Sequence, residues 1–271
     1  MSRLPRAVAD AVPLHVEVSG SGERVVLAHG FGGSARNFRP QVRALRGRYQ
    51  AIVYDARGHA RSGAPEAASS YTPECFVSDL ERVLDDAGAA RAVVGGLSLG
   101  AGVALRFALA RPQRVQGLVL ASFPVGGGRG IAAQALAFAH VLDADGLVAA
   151  GERFVWGKSS GLSERDAALV RQGFLEQRPH ALAHVLRELV AAQPAVEELA
   201  PALRRLEAPA LVVAGEEDAP SVATAHALAA ALPRARLVVV PGAGHVVNLE
   251  RPEAFNAALL AFLGEQVFAA A

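Results

Sequence analysis

Cysteine, lysine, methionine and tryptophan each occur once in the 271 residues. The lone cysteine, Cys75, rules out an internal disulfide and fits a reducing compartment, so a cytoplasmic location is expected. Charge of one sign is missing too: 27 Lys and Arg stand against 26 Asp and Glu, a net +1. That balance supplies no basic footprint for nucleic acid or an anionic membrane surface. All the basic residues but Lys158 are arginine, a bias that carries no functional reading. Long apolar runs are absent as well. Each apolar stretch is interrupted within about 10 residues by Arg, Asp, Glu or Pro, short of the roughly 20 that span a bilayer. The segment Met1 to Val12 has no continuous apolar core of the kind a signal peptide needs.

What remains is 52% hydrophobic, enough to bury a large core without staples of disulfide or metal. Short apolar runs alternate with helical patterns. Leu14–Val18, Val25–Ala28, Ala51–Tyr54, Ala92–Gly95, Gln116–Ala121, Ala210–Ala214 and Leu237–Val240 read as strands. Most are continuous apolar runs, the signature of strands covered on both faces of a parallel sheet. Helices are expected from Ser34 to about Leu45, from Thr72-Pro73 to Gly88, over Leu99–Ala110, Ser221–Leu232 and Pro252–Leu263. Between Pro124 and Leu206 no strand is expected. Helical patterns cover Ile131–Leu142, Leu147–Phe154, Ser163–Leu175, His180–Ala191 and Val196–Leu206. The expected fold is α/β, a mostly parallel doubly wound sheet with an all-helical insertion.

The chemistry-bearing residues follow strands. Ser98 sits in Gly96-Leu97-Ser98-Leu99-Gly100, between a strand and a helix, where two glycines permit a sharp turn that lifts the hydroxyl clear. A serine nucleophile needs a base and the base an orienting acid. His245 closes the stretch after Leu237–Val240. Asp218 closes Gly215-Glu216-Glu217-Asp218 after the preceding strand; Glu216 and Glu217 are adjacent carboxylates, and Asp218 also suits a helix cap. All three fall at the carboxyl edge of a parallel sheet, where sites of such folds assemble. The amides of Leu99 and of Phe31, in His29-Gly30-Phe31, are placed to receive an oxyanion.

Together these stretches, with Asp55-Ala56-Arg57-Gly58-His59, resemble the α/β-hydrolase superfamily over nearly the whole chain, and in detail small bacterial esterases and enol-lactonase-like lactone hydrolases. The resemblance implies Ser98 as nucleophile, His245 as base and Asp218 as acid, a core of residues 1–123 and 207–271, and a helical cap of residues 124–206. Two positions depart from the family pattern: Ala60, where glycine is common, and Leu97, where histidine is common. The implied substrate is a small, mostly apolar ester or lactone, with no metal or organic cofactor and no nucleic-acid or membrane partner. Two alternatives stay open: a C–C bond hydrolase of a vinylogous diketone, which needs a carboxylate-binding arginine facing the pocket, and a slow-turnover lactone receptor.

Phe31, Leu99, Phe123, Phe138, Trp156 and Val246 are the candidate pocket walls, with Phe138 and Trp156 equally suited to packing within the cap. His29 is expected to brace the oxyanion loop, Asp55 and Arg57 to form a local ion pair, and His59 to be a loop residue. Cys75 is expected in the core. His140, His180 and His184 lack metal-ligand spacing, and Arg129 and Arg153 suit solvent better than a substrate anion.

Overall fold

The computed structural model describes residues 11–124, 126, 129–157 and 164–268. Residues 1–10, Lys158 and the expected helix start at Ser163 lie outside the described residues. In chain order, β1 (Val16–Ser19), β2 (Arg24–Ala28), α1 (Arg39–Leu45), β3 (Gln50–Tyr54), α2 (Pro73–Asp86), β4 (Ala92–Leu97), α3 (Leu99–Ala110) and β5 (Val115–Ala121) form the first half. The helices α4 (Arg129–Phe154), α5 (Glu164–Leu175), α6 (Pro179–Val185) and α7 (Val196–Leu203) follow. Then come β6 (Ala210–Gly215), α8 (Ala219–Ala231), β7 (Ala235–Val240), the short α9 (Val247–Glu250) and α10 (Pro252–Phe262).

The strands make one seven-stranded sheet in the order β1-β3-β2-β4-β5-β6-β7. Only β1 runs antiparallel, pairing Val16 with Tyr54. It begins two residues later than its apolar alternation suggests, and as an edge strand it leaves Val18 exposed. The parallel register aligns Ala28 with Gly96, Leu97 with Ala121, and Gly215 with Val240. The loops after β2, β4, β6 and β7 therefore leave the sheet along one edge. Alternate strand residues enter separate cores. Val26, Ile52, Val94, Leu120 and Val212 pack under α2, α3 and α8. Val25, Leu27, Val53, Val93 and Leu211 pack on the other face with Phe255, Leu259 and Phe262. Sheet strands covered on both faces need this two-sided apolar character.

Between β5 and β6 the described residues form helices joined by turns and short irregular segments, with no strand among them. The two expected first helices are one run, Arg129–Phe154, broken at Gly146, whose φ of 77° and ψ of −170° leave the helical region. This run amends one expectation. Gly130–Phe154 has the length and the mean hydropathy, 1.3, to cross a bilayer. Here, however, its Phe138, Ala139 and Leu142 pack on Phe174, Leu182 and Leu186 in a third apolar cluster. The expected helix from His180 starts at Pro179 and continues as a wider-wound turn, Leu186–Val190.

Candidate active site

Ser98 occupies the turn between β4 and α3 with φ 51° and ψ −114°, a conformation that L-residues rarely adopt and that stores roughly 1–3 kcal/mol. The surrounding structure holds it there. Its amide donates to the Ala121 carbonyl at 2.8 Å, and its carbonyl accepts from Gly102 at 3.0 Å. The two flanking glycines are sterically required: a methyl group on Gly96 or Gly100 would overlap the Ala28 carbonyl oxygen.

Asp218 and His245 meet across the β6 and β7 ends. His245 Nδ1 donates to Asp218 Oδ2 at 2.6 Å. That bond fixes the tautomer, leaving His245 Nε2 as the free acceptor. Burial pushes the Asp218 carboxyl up, but the His245 contact and the Ser221 amide outweigh it, so the group sits below its ordinary value and stays ionised. Asp218 also caps α8 through the Ser221 amide at 3.3 Å. Asp218 thus meets the His245 ring and caps α8 at the same time. Glu216 turns away to accept from the Gly242 amide, and Glu217 lines the cavity without joining the pair.

Two cavities share a wall made by Phe31, Ser98, Phe138 and Phe154. The larger, about 570 Å³, contains His245, Asp218, Val246 and the glycine loop after β2. The smaller, about 220 Å³, runs along α3 past Leu99, Gly102 and Val103 to Arg106 and Gln193. Ser98 thus lies at the junction. Ser98 and His245 both line the larger cavity, with no direct hydrogen bond between them.

The loop carrying Phe31 is braced by His29. Its Nε2 accepts the Ala56 amide at 2.9 Å, and its Nδ1 donates to the Gly30 carbonyl at 2.8 Å. Burial holds the His29 pKa below its ordinary value, so the ring is neutral. From above, Gln177 Nε2 donates to the Gly32 carbonyl at 3.1 Å, while its Oε1 accepts from Ala60 at 2.8 Å. Ala60 stands at φ 44°, the left-handed backbone that explains the preference for glycine there.

Several expectations need correction. Asp55 and Arg57 do not pair with each other. Asp55 binds Arg61 (2.7 Å), whereas Arg57 forms a buried two-pronged bridge to Asp79 at 2.6 and 2.8 Å. Asp55 finds its partner six residues on in the same loop, whereas Arg57 reaches across to α2. Phe123 does not line either cavity; it is 1% exposed within the core beneath the sheet edge. Trp156 is a packing residue, set edge-on to Phe174 with the Arg171 guanidinium over its ring. Phe138 does line both cavities, stacked on Phe154 at 4.6 Å. His59 is buried rather than a plain loop residue, edge-on to Phe31 and His29. His180 and His184 reach the carbonyls of Ala64 and Glu66, His140 is exposed, and Cys75 is buried on α2. Arg153 is exposed and lies over its neighbour Phe154. The sequence reading did not single out Arg106, Gln193, Phe154 and Gln177. A helical-wheel signal for Arg106 exists, since Ser98, Gly102 and Arg106 recur at four-residue steps.

The profile of the Alpha/beta hydrolase family matches residues 25–258. A protein of Azorhizobium caulinodans bearing the carbamate hydrolase name RutD is 31% identical over 97% of this chain and 99% of its own. Among solved structures, a thermophilic esterase of Thermogutta terrifontis superposes with a TM-score of 0.83 at 27% identity, covering 94% of each chain. The enol-lactonase of Burkholderia xenovorans superposes with a TM-score of 0.81 at 27% identity, over 96% of this chain and all of that one.

Proposed function

The chain belongs to the alpha/beta hydrolase family, and on that premise we propose that it cleaves a carboxylic ester or lactone through an acyl-enzyme on Ser98. The observation that carries this reading is the 2.6 Å His245–Asp218 bond in the cavity that Ser98 also lines. His245 takes the Ser98 proton through Nε2 as the hydroxyl attacks the acyl carbonyl. The amides of Phe31 and Leu99 receive the oxyanion. Asp218 holds the His245 tautomer and stabilises its cation. His245 then protonates the leaving alkoxide, and water, deprotonated by the same ring, releases the acid. The helical stretch 124–206 acts as a cap over residues 1–123 and 207–271, with Phe138 contributing to the pocket roof. Two apolar chambers on either side of the nucleophile suit the two halves of a small ester. Esterase and enol-lactonase neighbours support that substrate class, and a carbamate presents the same kind of carbonyl to the same groups.

A C–C bond hydrolase would use the same three residues. The observation in its favour is a guanidinium, Arg106, on the cavity wall. A panel of short aryl esters, lactones, carbamates and vinylogous diketones ranks the classes. Ser98→Ala should abolish turnover, and Asp218→Asn should lower kcat roughly 10⁴-fold. Near wild-type turnover by Ser98→Ala would overturn the assignment.

A further inference from the structure

Gln177 lies two residues beyond α5 and is 6% exposed. Its Nε2 donates to the carbonyls of Gly173 at 2.7 Å, Gly32 at 3.1 Å and Gly33 at 3.3 Å. Its Oε1 accepts the Ala60 amide at 2.8 Å. The amide nitrogen has two hydrogens, so the three carbonyls share them. The same partners fix which end of the carboxamide is which. Turned over, it would set its oxygen against three carbonyls and its nitrogen against an N–H. One buried side chain thus joins the helical insertion to the loops after β2 and β3. Gln177 lines neither cavity, so it touches no reacting group.

The turn Gly30-Phe31-Gly32-Gly33 carries the Phe31 amide that receives the oxyanion in the mechanism above. The Gly33 amide donates to the Gly30 carbonyl at 3.0 Å and closes the turn, with Gly32 at φ 67° inside it. The Gly30 carbonyl also accepts from His29 Nδ1 at 2.8 Å. In a trans peptide the carbonyl and the following N–H point opposite ways. The two bonds to the Gly30 carbonyl therefore direct the Phe31 N–H out of the turn. Three of the four residues are glycine, so the local sequence does little to stiffen that direction. The far half of the turn is gripped from the insertion instead. Gln177 holds the Gly32 and Gly33 carbonyls, and the Phe174 ring lies 2.6 Å from where a methyl group on Gly32 would stand. If that half rocks, the Gly33 amide moves, and the Gly30–Phe31 peptide turns with it.

We infer that Gln177 is a positioning residue for the reaction. By holding the Gly32 and Gly33 carbonyls it sets the direction of the Phe31 amide, so the helical insertion completes the oxyanion site. This inference rests on the hydrolase reading, and its test separates the two.

The test uses 4-nitrophenyl butyrate with Gln177→Glu and Gln177→Met at about pH 8.5, where a carboxyl is ionised. Gln177→Glu is isosteric and keeps an acceptor for Ala60, but has no donor for the glycine carbonyls. Gln177→Met keeps the chain length and loses both polar groups. Each should lower kcat by about 10–10²-fold, the order that a misplacement of about 1 Å costs. KM should stay within about threefold of wild type, because the lost interaction belongs to the transition state. A trifluoromethyl ketone with the same acyl chain gives a second readout. Ser98 Oγ bonds to its carbonyl carbon, the carbonyl electron pair moves to oxygen, and the serine proton passes to His245. The resulting oxyanion needs the Phe31 amide, so the Ki should rise by the factor that kcat/KM falls. A side chain that merely held the fold would lower the melting temperature without this paired loss. Wild-type kcat in either folded variant, or a loss confined to KM with the ketone Ki unchanged, overturns the inference. If Gln177→Met does not fold, the isosteric Gln177→Glu decides. If Ser98→Ala turns over the ester like wild type, the hydrolase reading fails and the inference falls with it. If Ser98→Ala is inactive and Gln177→Glu matches wild type, the role of Gln177 alone fails.

Discussion

His29 Nε2 accepts the amide hydrogen of Ala56 at 2.9 Å and so ties the loop after β2 to the loop after β3. With Nδ1 committed to the Gly30 carbonyl, the neutral ring is a spacer whose two nitrogens hold the turn leading into Phe31. His29→Ala leaves a buried amide without an acceptor, a cost of roughly 1–3 kcal/mol. It also loosens the loop that presents the Phe31 amide, for which loss of one oxyanion donor sets an upper bound of about 10²–10³ in kcat. The expected outcome is a kcat at least tenfold lower with KM little changed, read on a short aryl ester alongside thermal melting. An unchanged kcat would show that the loop is held without His29.

The bridge between Arg57 and Asp79 is almost wholly buried, its side chains 1% and 2% exposed. Arg57 also donates to the Ser70 carbonyl, and its guanidinium lies 6.0 Å from the Phe76 ring centroid. Removing one partner strands the other charge in the interior. Asp79→Ala should cost roughly 3–5 kcal/mol, and the double variant Arg57→Leu with Asp79→Leu should cost less than that single one. Urea unfolding of both variants measures this. A double variant less stable than Asp79→Ala would mean that the pair itself, rather than the avoidance of a lone buried charge, stabilises the fold.

His59 should make the protein acid-sensitive. Burial first, and then the neighbouring His29, push its pKa down from 6.5 to about 3. Unfolded, the imidazole binds a proton near its ordinary value; folded, it resists to about 3. Between those values the unfolded state holds more protons, so stability falls as pH falls, by up to about 1.4 kcal/mol per pH unit. His29, also depressed by burial, adds in the same direction. His59→Asn keeps a donor for the Arg57 carbonyl, now met by Nδ1 at 3.0 Å, but cannot titrate. Its stability should decline less steeply than wild type from pH 6 to 4 in denaturant melts. Parallel slopes would assign the acid sensitivity elsewhere.

Local pattern was sufficient for much of this protein. Seven apolar runs correspond to seven strands, and the strand–Gly-x-Ser-x-Gly–helix order determines the elbow, because only glycine fits against the Ala28 carbonyl at both flanking positions. Asp218 and His245 were legible because each ends the loop of a strand whose direction in a parallel sheet is set by its crossover helix. Neighbour relations between distant elements had no such signal. Which carboxylate Arg57 meets, Asp55 beside it or Asp79 on α2, depends on side-chain direction at a tight loop. Whether Phe138 or Trp156 faces the cavity depends on how α4 rotates about its axis and how the turn that follows it folds onto Phe174. Arg106 belongs to the same class. As a residue of α3 it looks like any surface arginine, and only the apolar wall that the helical insertion lays across it turns it into a half-buried cation at the end of a cavity that begins at Ser98.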